Sequence, residues 1–338
     1  MSFTDILGHE RQIKVLRRGI TTGQMPPAYL FHGEEGIGKR LVATEFAKAV
    51  NCEGGAEPGT SCGTCRPCRN ITAGCHPNVA TLAIEVNPET GKLRQEIVIS
   101  QVRKAQEFLS LRAVGSGRKA LIVDGAHLMN EEAMNAFLKT LEEPPDGSHV
   151  ILITSRPGFL LPTILSRCRS ISFQPLGEGL VAGLLEKEKG MPEADARFVA
   201  RMTGGRVGDA LASDPADMAV RRKDSIDTLK KLLAAPGPAV LKKAEEAAKK
   251  DSWLEDFVFF GTLWYRDVLV LMVGGDASLA YNSDMADELE GFAGAMTARG
   301  AEVALACLQE TGRAFGRTYN RRILAEDLFF RLKEEAQA

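Results

Sequence analysis

The stretch PPAYLFHGEEGIGKR at residues 26–40 decides the fold. Its apolar half, AYLFHG, reads as a buried strand that runs directly into a glycine-rich turn, and the turn opens a helix expected over about residues 39–50. Gly33, Gly36 and Gly38 let backbone N–H groups curl around phosphate oxygens, the helix start adds a favourable dipole, and Lys39 supplies a point charge. This is the setting of a phosphate-binding P-loop, and it predicts an α/β domain on a parallel sheet. An ordinary glycine-rich strand-to-helix turn is the plain alternative.

Outward from that loop the alternation of strand and helix continues. A strand is expected near 80–84, a polar hairpin-like stretch at NPETGK (87–92), and a helix over about 100–110 with Val102, Ala105, Phe108 and Leu109 near helical spacing. KALIVDGAH (119–127) is an apolar run ending on an acid, NEEAMNAFLKTLEEPP (130–145) a helix halted by paired prolines, and HVILITSRP (149–157) a further buried strand. ISFQPL (171–176) reads as the last strand. After Pro175 the β-branched runs thin out: residues 177–212 read as a small helical unit around GGRVGDAL, and those from about 220 onward as a longer helical bundle broken by PGP at 236–238. KKAEEAAKK (242–250) mixes charge signs as a solvated helix face does.

A length of 338 residues gives room for two or three domains. With 44% hydrophobic and 25% charged residues the chain is neither disordered nor fibrous. Forty-two Lys and Arg against 44 Asp and Glu leave a net charge of −2, which excludes a polycation built to coat nucleic acid. The opening MSFTDILGHERQ lacks an apolar signal core, and no run approaches the ~18 apolar residues of a membrane span, so a cytoplasmic protein is expected.

Two positions depart from a working nucleotide site. The residue after the loop lysine, where Ser or Thr holds Mg²⁺, is Arg40, which has no acceptor atom for a metal. Asp124 stands where a metal-coordinating acid belongs, but Gly125 follows it where many ATPases keep a Glu that orients the attacking water. Phosphate binding is compatible with these residues and hydrolysis is not; Asp124 as a local cap after a core strand is the plainer reading.

Cys52, Cys62, Cys65 and Cys68 offer four thiolates in tight spacing within an insertion at 52–75. Four soft ligands without His or carboxylate suit a closed, structural Zn²⁺ site, with reduced thiols or a redox pair as the alternative. Cys75 and His76 lie just beyond and could compete as ligands, while Cys168 and Cys307 are isolated and read as small buried residues. An odd count of seven cysteines argues against a secreted disulfide framework.

PPAYLFHGEEGIGK (26–39), the four-cysteine insertion, NAFLKTLEEPP (135–145) and Ser166-Arg167-Cys168 in TILSRCRSISFQPL together resemble the bacterial clamp-loader family of AAA+ proteins. SFTDILGHE resembles that family's N-terminal segment and NRRILAEDLFFRL (320–332) its last collar helix, so the likeness spans the chain. It implies an AAA+ P-loop NTPase core over residues 1–174 with a zinc module at about 52–75, a small helical lid at 175–215 and an all-α collar for oligomerisation at 216–338. The family's gamma and tau motor subunits keep a Thr after the loop Lys, an Asp-Glu pair on the second strand and a sensor Arg before Asp-Ala-Leu. Here those positions are Arg40, Gly125 and Gly208. Arg206 lies two residues before Gly208, about 200° away around a helix.

The resemblance therefore implies a stator that does not hydrolyse ATP, with Gly33, Gly36, Gly38, Lys39 and Asp124 as a vestigial nucleotide site. Arg167 resembles an arginine finger offered to ATP on an adjacent motor subunit, a task suited to a planar, permanently charged guanidinium; Arg169 is the less favoured candidate. Thr154 and Ser155 occupy the first-sensor position, where a polar cap on a core strand explains them equally well. The implied partners are the gamma or tau motor subunits and the delta subunit, with the sliding clamp and primed DNA reached through the complex, and a monomer when isolated. The complex belongs to a holoenzyme with DNA-directed DNA polymerase activity.

Two other functions remain open at this point. One is an active ATPase motor of the gamma/tau type in which Asp124 alone holds Mg²⁺. The other makes the zinc module a DNA-binding element through Arg66 and Arg69, although that insertion lacks stacking aromatics and a dense basic stripe.

Overall fold

The computed structural model describes residues 2–54, 57–86, 91, 94–115, 117–249, 252–276, 279–315 and 320–335. The chain divides into two compact units, Met1–Ala212 and Ser213–Ala338. The expected hairpin-like NPETGK lies outside the described residues except for Gly91.

In the first unit α1 (Glu10–Thr22) precedes β1 (Ala28–His32), α2 (Lys39–Ala49), α3 (Arg66–Thr72) and β2 (Val79–Leu82). Then come α4 (Ile99–Ser110), β3 (Lys119–Asp124), α5 (Glu131–Glu142), β4 (Ser148–Thr154), a one-turn α6 (Pro162–Leu165) and β5 (Arg169–Ser172). The five strands form one parallel sheet in the order β2-β3-β4-β1-β5. Side chains alternate across it as strand geometry requires. Leu30, Leu121, Val123, Val150 and Leu152 face the core shared with α4 and α5, where Val102, Leu109, Phe137 and Leu141 are buried. Tyr29, Phe31, Ile122, Ile151 and Ile153 face the opposite core, built with Ile13 and Leu16 of α1 and Val42 and Phe46 of α2. Burial on both faces explains why β1, β3 and β4 are largely apolar.

Local signals end the elements where the sequence places them. Gly23 closes α1 in the left-handed region, and Asn130 caps α5 by accepting the Ala133 N–H at 3.0 Å. Pro144 and Pro145 follow α5 directly. The last strand differs from expectation: it begins at Arg169 and ends at Ser172, because its partner β1 aligns Tyr29 with Arg169 and His32 with Ser172. α7 (Glu178–Lys189), α8 (Glu193–Met202) and α9 (Val207–Ala212) complete the unit.

The second unit is all helical: α10 (Pro215–Ala234), α11 (Gly237–Lys249), α12 (Trp253–Met272), α13 (Ala286–Ala293), α14 (Ala298–Ala314) and α15 (Arg321–Glu335). The PGP break separates α10 from α11 as expected. Trp264, Tyr265, Phe257 and Phe329 fill its core together with Cys307. Fully buried Asp267 accepts hydrogen bonds from the Tyr281 and Asn282 N–H groups and the Asn282 side chain and pairs with Arg266 at 2.9 Å, so its carboxylate is satisfied within the protein. No helix among the described residues is long and apolar enough to cross a membrane.

Candidate functional site

The parallel register brings His32, Asp124 and Thr154 to the same edge of the sheet: His32 pairs with Thr154 and Asp124 with Ile153. Open α/β sheets bind ligands outside this carboxyl edge. Gly33 follows β1 there at φ +146°, and a Cβ on it would stand 2.3 Å from the Phe173 carbonyl oxygen, so only glycine lets the loop pass β5's exit. The loop is braced from the N-terminal segment by His9, whose Nε2 lies 2.7 Å from the Ile37 carbonyl. Nothing in the sequence pattern marked that contact.

A cavity of about 400 Å³ opens at this edge. It gathers Lys39, Arg40, Asp124, Gly125, Thr154 and Ser155, residues the sequence had singled out in separate segments, with Gly208 on its far wall. Lys39 turns back onto the loop: its Nζ donates to the Gly33 carbonyl at 2.8 Å and to the Glu34 carbonyl. Burial lowers the Lys39 pKa, against the opposing pull of Glu35, Asp124 and Glu34. Arg40 reaches across to Asp124, Nη1 to Oδ2 3.3 Å. The acid is therefore paired with a cation of the chain itself, rather than serving as a local cap. Thr154 Oγ1 lies 3.1 Å from His127 Nδ1 and accepts the Arg156 N–H at 3.0 Å, while burial and then Arg156 lower the His127 pKa.

The α9 end closes against the loop. The Gly208 N–H donates to the Gly36 carbonyl at 2.7 Å, and a Cβ at Gly208 would stand only 3.2 Å from that oxygen. Glycine at this position permits the close approach of the two backbones. Arg206 turns away to Asp209 at 2.6 Å and reaches Glu34 at 4.0 Å, a second link between the two segments.

Arg167 lies outside this cavity. Its Nη2 donates to Glu142 Oε1 at 2.7 Å and its Nη1 to the Thr163 carbonyl at 3.0 Å. Ser166 bonds the same carbonyl at 3.1 Å, and burial pushes the Cys168 thiol up to about 11. Arg169 begins β5 and is exposed.

The four cysteines form a third locus. The Sγ atoms of Cys52, Cys62, Cys65 and Cys68 all lie within 4.8 Å of one another, and those of Cys52 and Cys65 are 3.9 Å apart. A tetrahedral ion bound at about 2.3 Å sets its sulfurs about 3.8 Å apart, so the donor set fits one metal ion. Backbone N–H groups of Cys62 and Cys65 donate to Cys52 Sγ at 3.3 Å and to Cys62 Sγ at 3.2 Å. The hydrogen bond from the Cys65 N–H, followed by those of Thr64, lowers the Cys62 pKa to about 5, whereas burial raises that of Cys68. Cys75 and His76 stay outside the cluster.

A family profile described as "DNA polymerase III, delta subunit" matches residues 8–177. DNA polymerase III subunit delta' of Bacillus subtilis (strain 168) is 32% identical over 281 residues, covering 80% of each chain. The delta' subunit of Pseudomonas aeruginosa PAO1 is 34% identical over 209 residues, 61% of each chain. DNA polymerase III subunit tau of Bacillus subtilis is 31% identical over 215 residues, 62% of this chain and 36% of that protein.

Proposed function

The chain belongs to the clamp-loader family of bacterial DNA polymerase III subunits, and from that premise we propose that it is the ring's non-hydrolysing stator. In this reading the α10–α15 bundle is the collar that assembles with tau or gamma and delta subunits, α7–α9 form the lid, and the complex places a sliding clamp on primed DNA in the cytoplasm. Arg167 completes the ATP site of a neighbouring motor subunit.

The observation that carries the stator reading is the Arg40–Asp124 pair. A Mg²⁺ ion at Asp124 has no hydroxyl ligand at position 40 and would have to displace a guanidinium already there. Gly125 carries no carboxylate to orient water. Lys39, the one intact phosphate ligand, donates to Gly33 and Glu34 of its own loop. These features favour a stator over a motor with an unorthodox site.

The cysteine cluster is proposed to hold structural Zn²⁺, which when bound would clip Cys52, just past α2, to the loop and helix carrying Cys62, Cys65 and Cys68. Four protein thiolates leave no coordination position for water, so the ion supports folding rather than reaction. Metal analysis of the purified chain should find one zinc per chain.

The stator reading is tested by ATP turnover of the purified chain with Mg²⁺. Turnover is expected to equal that of a Lys39→Ala variant; a motor-like rate that Lys39→Ala abolishes would overturn it.

A further inference from the structure

Glu142 ends α5 and Arg167 follows α6, two elements anchored in one core by Phe137, Leu141 and Ile164. The paired prolines after Glu143 stop the helix, so the Glu142 carboxylate leaves α5 at a fixed point on that platform. It takes one donor of Arg167 at 2.7 Å, and the Thr163 carbonyl takes another at 3.0 Å. Two bonds to a planar group fix its plane as well as its position, which one bond does not. A guanidinium has five N–H donors, and the three others of Arg167 have no hydrogen-bond partner among the described residues.

We propose that Glu142 is a positioning residue for Arg167: it holds the guanidinium oriented with its remaining donors available to the phosphate oxygens of a nucleoside triphosphate on an adjacent subunit. This rests on the reading of Arg167 as acting on a neighbour. The pair is partly exposed, with side chains at 35% and 49%, so water screens it and it contributes little to fold stability. Its effect lies in the orientation of a side chain that otherwise samples many rotamers, a cost met before the phosphate arrives. The competing idea is that the carboxylate restrains the arginine and must be displaced, which predicts the opposite sign on removal.

The test is a double-mutant cycle in the complex reconstituted from this chain with the tau and delta subunits, reading kcat and KM for ATP. Glu142→Ala is expected to lower kcat at the site facing Arg167 by about 2- to 5-fold, the range a partly exposed ion pair spans, with KM and melting temperature unchanged. Glu142→Gln keeps the acceptor oxygen and should restore most of the rate. In an Arg167→Ala background the Glu142→Ala change should have no further effect. If Arg167→Ala lowers turnover but Glu142→Ala leaves it unchanged or raises it, the positioning role is overturned while the reading of Arg167 stands. If Arg167→Ala itself has no effect in an assembled complex, both fall.

Discussion

Arg40 and Arg167 each face a carboxylate from another element, Asp124 at 3.3 Å and Glu142 at 2.7 Å, yet the proposed function gives the two pairs opposite roles. Arg40 points into the first unit's own cavity and neutralises the acid that a motor would use for Mg²⁺. Arg167 stands outside that cavity, held at two points with donors to spare. In the proposed reading the same chemical pair closes one site and prepares another, because the surroundings differ. Around Arg40 the loop lysine donates to the Gly33 and Glu34 carbonyls of its own loop, and the Gly36 carbonyl accepts the Gly208 N–H of α9. Around Arg167 the platform satisfies only part of the guanidinium.

The largest effect that would sharpen this contrast comes from the cysteine cluster, which lies past the far end of the helix that starts with Lys39 and Arg40. Removing the proposed Zn²⁺ withdraws on the order of 10 kcal/mol of metal-coupled folding energy, and Cys68→Ser, which deletes one of the four ligands, weakens the same site. Hydrogen exchange should rise in α2 and α3 while α5 and α6, on the other face of the sheet, keep their protection. Equal loosening of both regions would break the separation.

A smaller effect concerns the cation at the sheet edge. Arg40→Thr frees Asp124 and supplies a hydroxyl, so nucleotide binding measured by calorimetry should become Mg²⁺-dependent, about tenfold tighter with the ion than without it. The parent chain should be indifferent to Mg²⁺. Mg²⁺-dependent binding by the parent would mean that Arg40 yields its place readily.

The smallest effect is on stability. Arg40→Ala and Arg167→Ala should each change the unfolding free energy by less than about 1 kcal/mol in denaturant titrations, since both pairs are partly exposed. A larger loss at either would make that arginine a structural residue first.

The sheet was legible because its three inner strands, β1, β3 and β4, are buried on both faces and read as apolar runs. β5 was harder: it is an edge strand in which only Ile171 is buried, so Arg169 and Ser170 look like loop until β1 sets the register. The glycine loop and the cysteine spacing are local patterns and could be read directly. The pairs Arg40–Asp124 and Arg167–Glu142, the His9 brace and the Gly208–Gly36 contact join segments far apart in the chain, and no local pattern encodes them. Gly208 could be recognised only as a missing arginine; the structure supplies the reason glycine suits the position, a 2.7 Å approach that a side chain would crowd.

The central claim is that this chain acts on a neighbour's nucleotide and not on its own. It is tested most directly by single-turnover ATP hydrolysis in the complex assembled with tau, delta, clamp and primed DNA, comparing the parent chain with Arg167→Ala. The account predicts normal assembly and a loss of roughly 10³ in rate at the one site facing this chain. An assembled complex that hydrolyses ATP at every site as fast as the parent would contradict it.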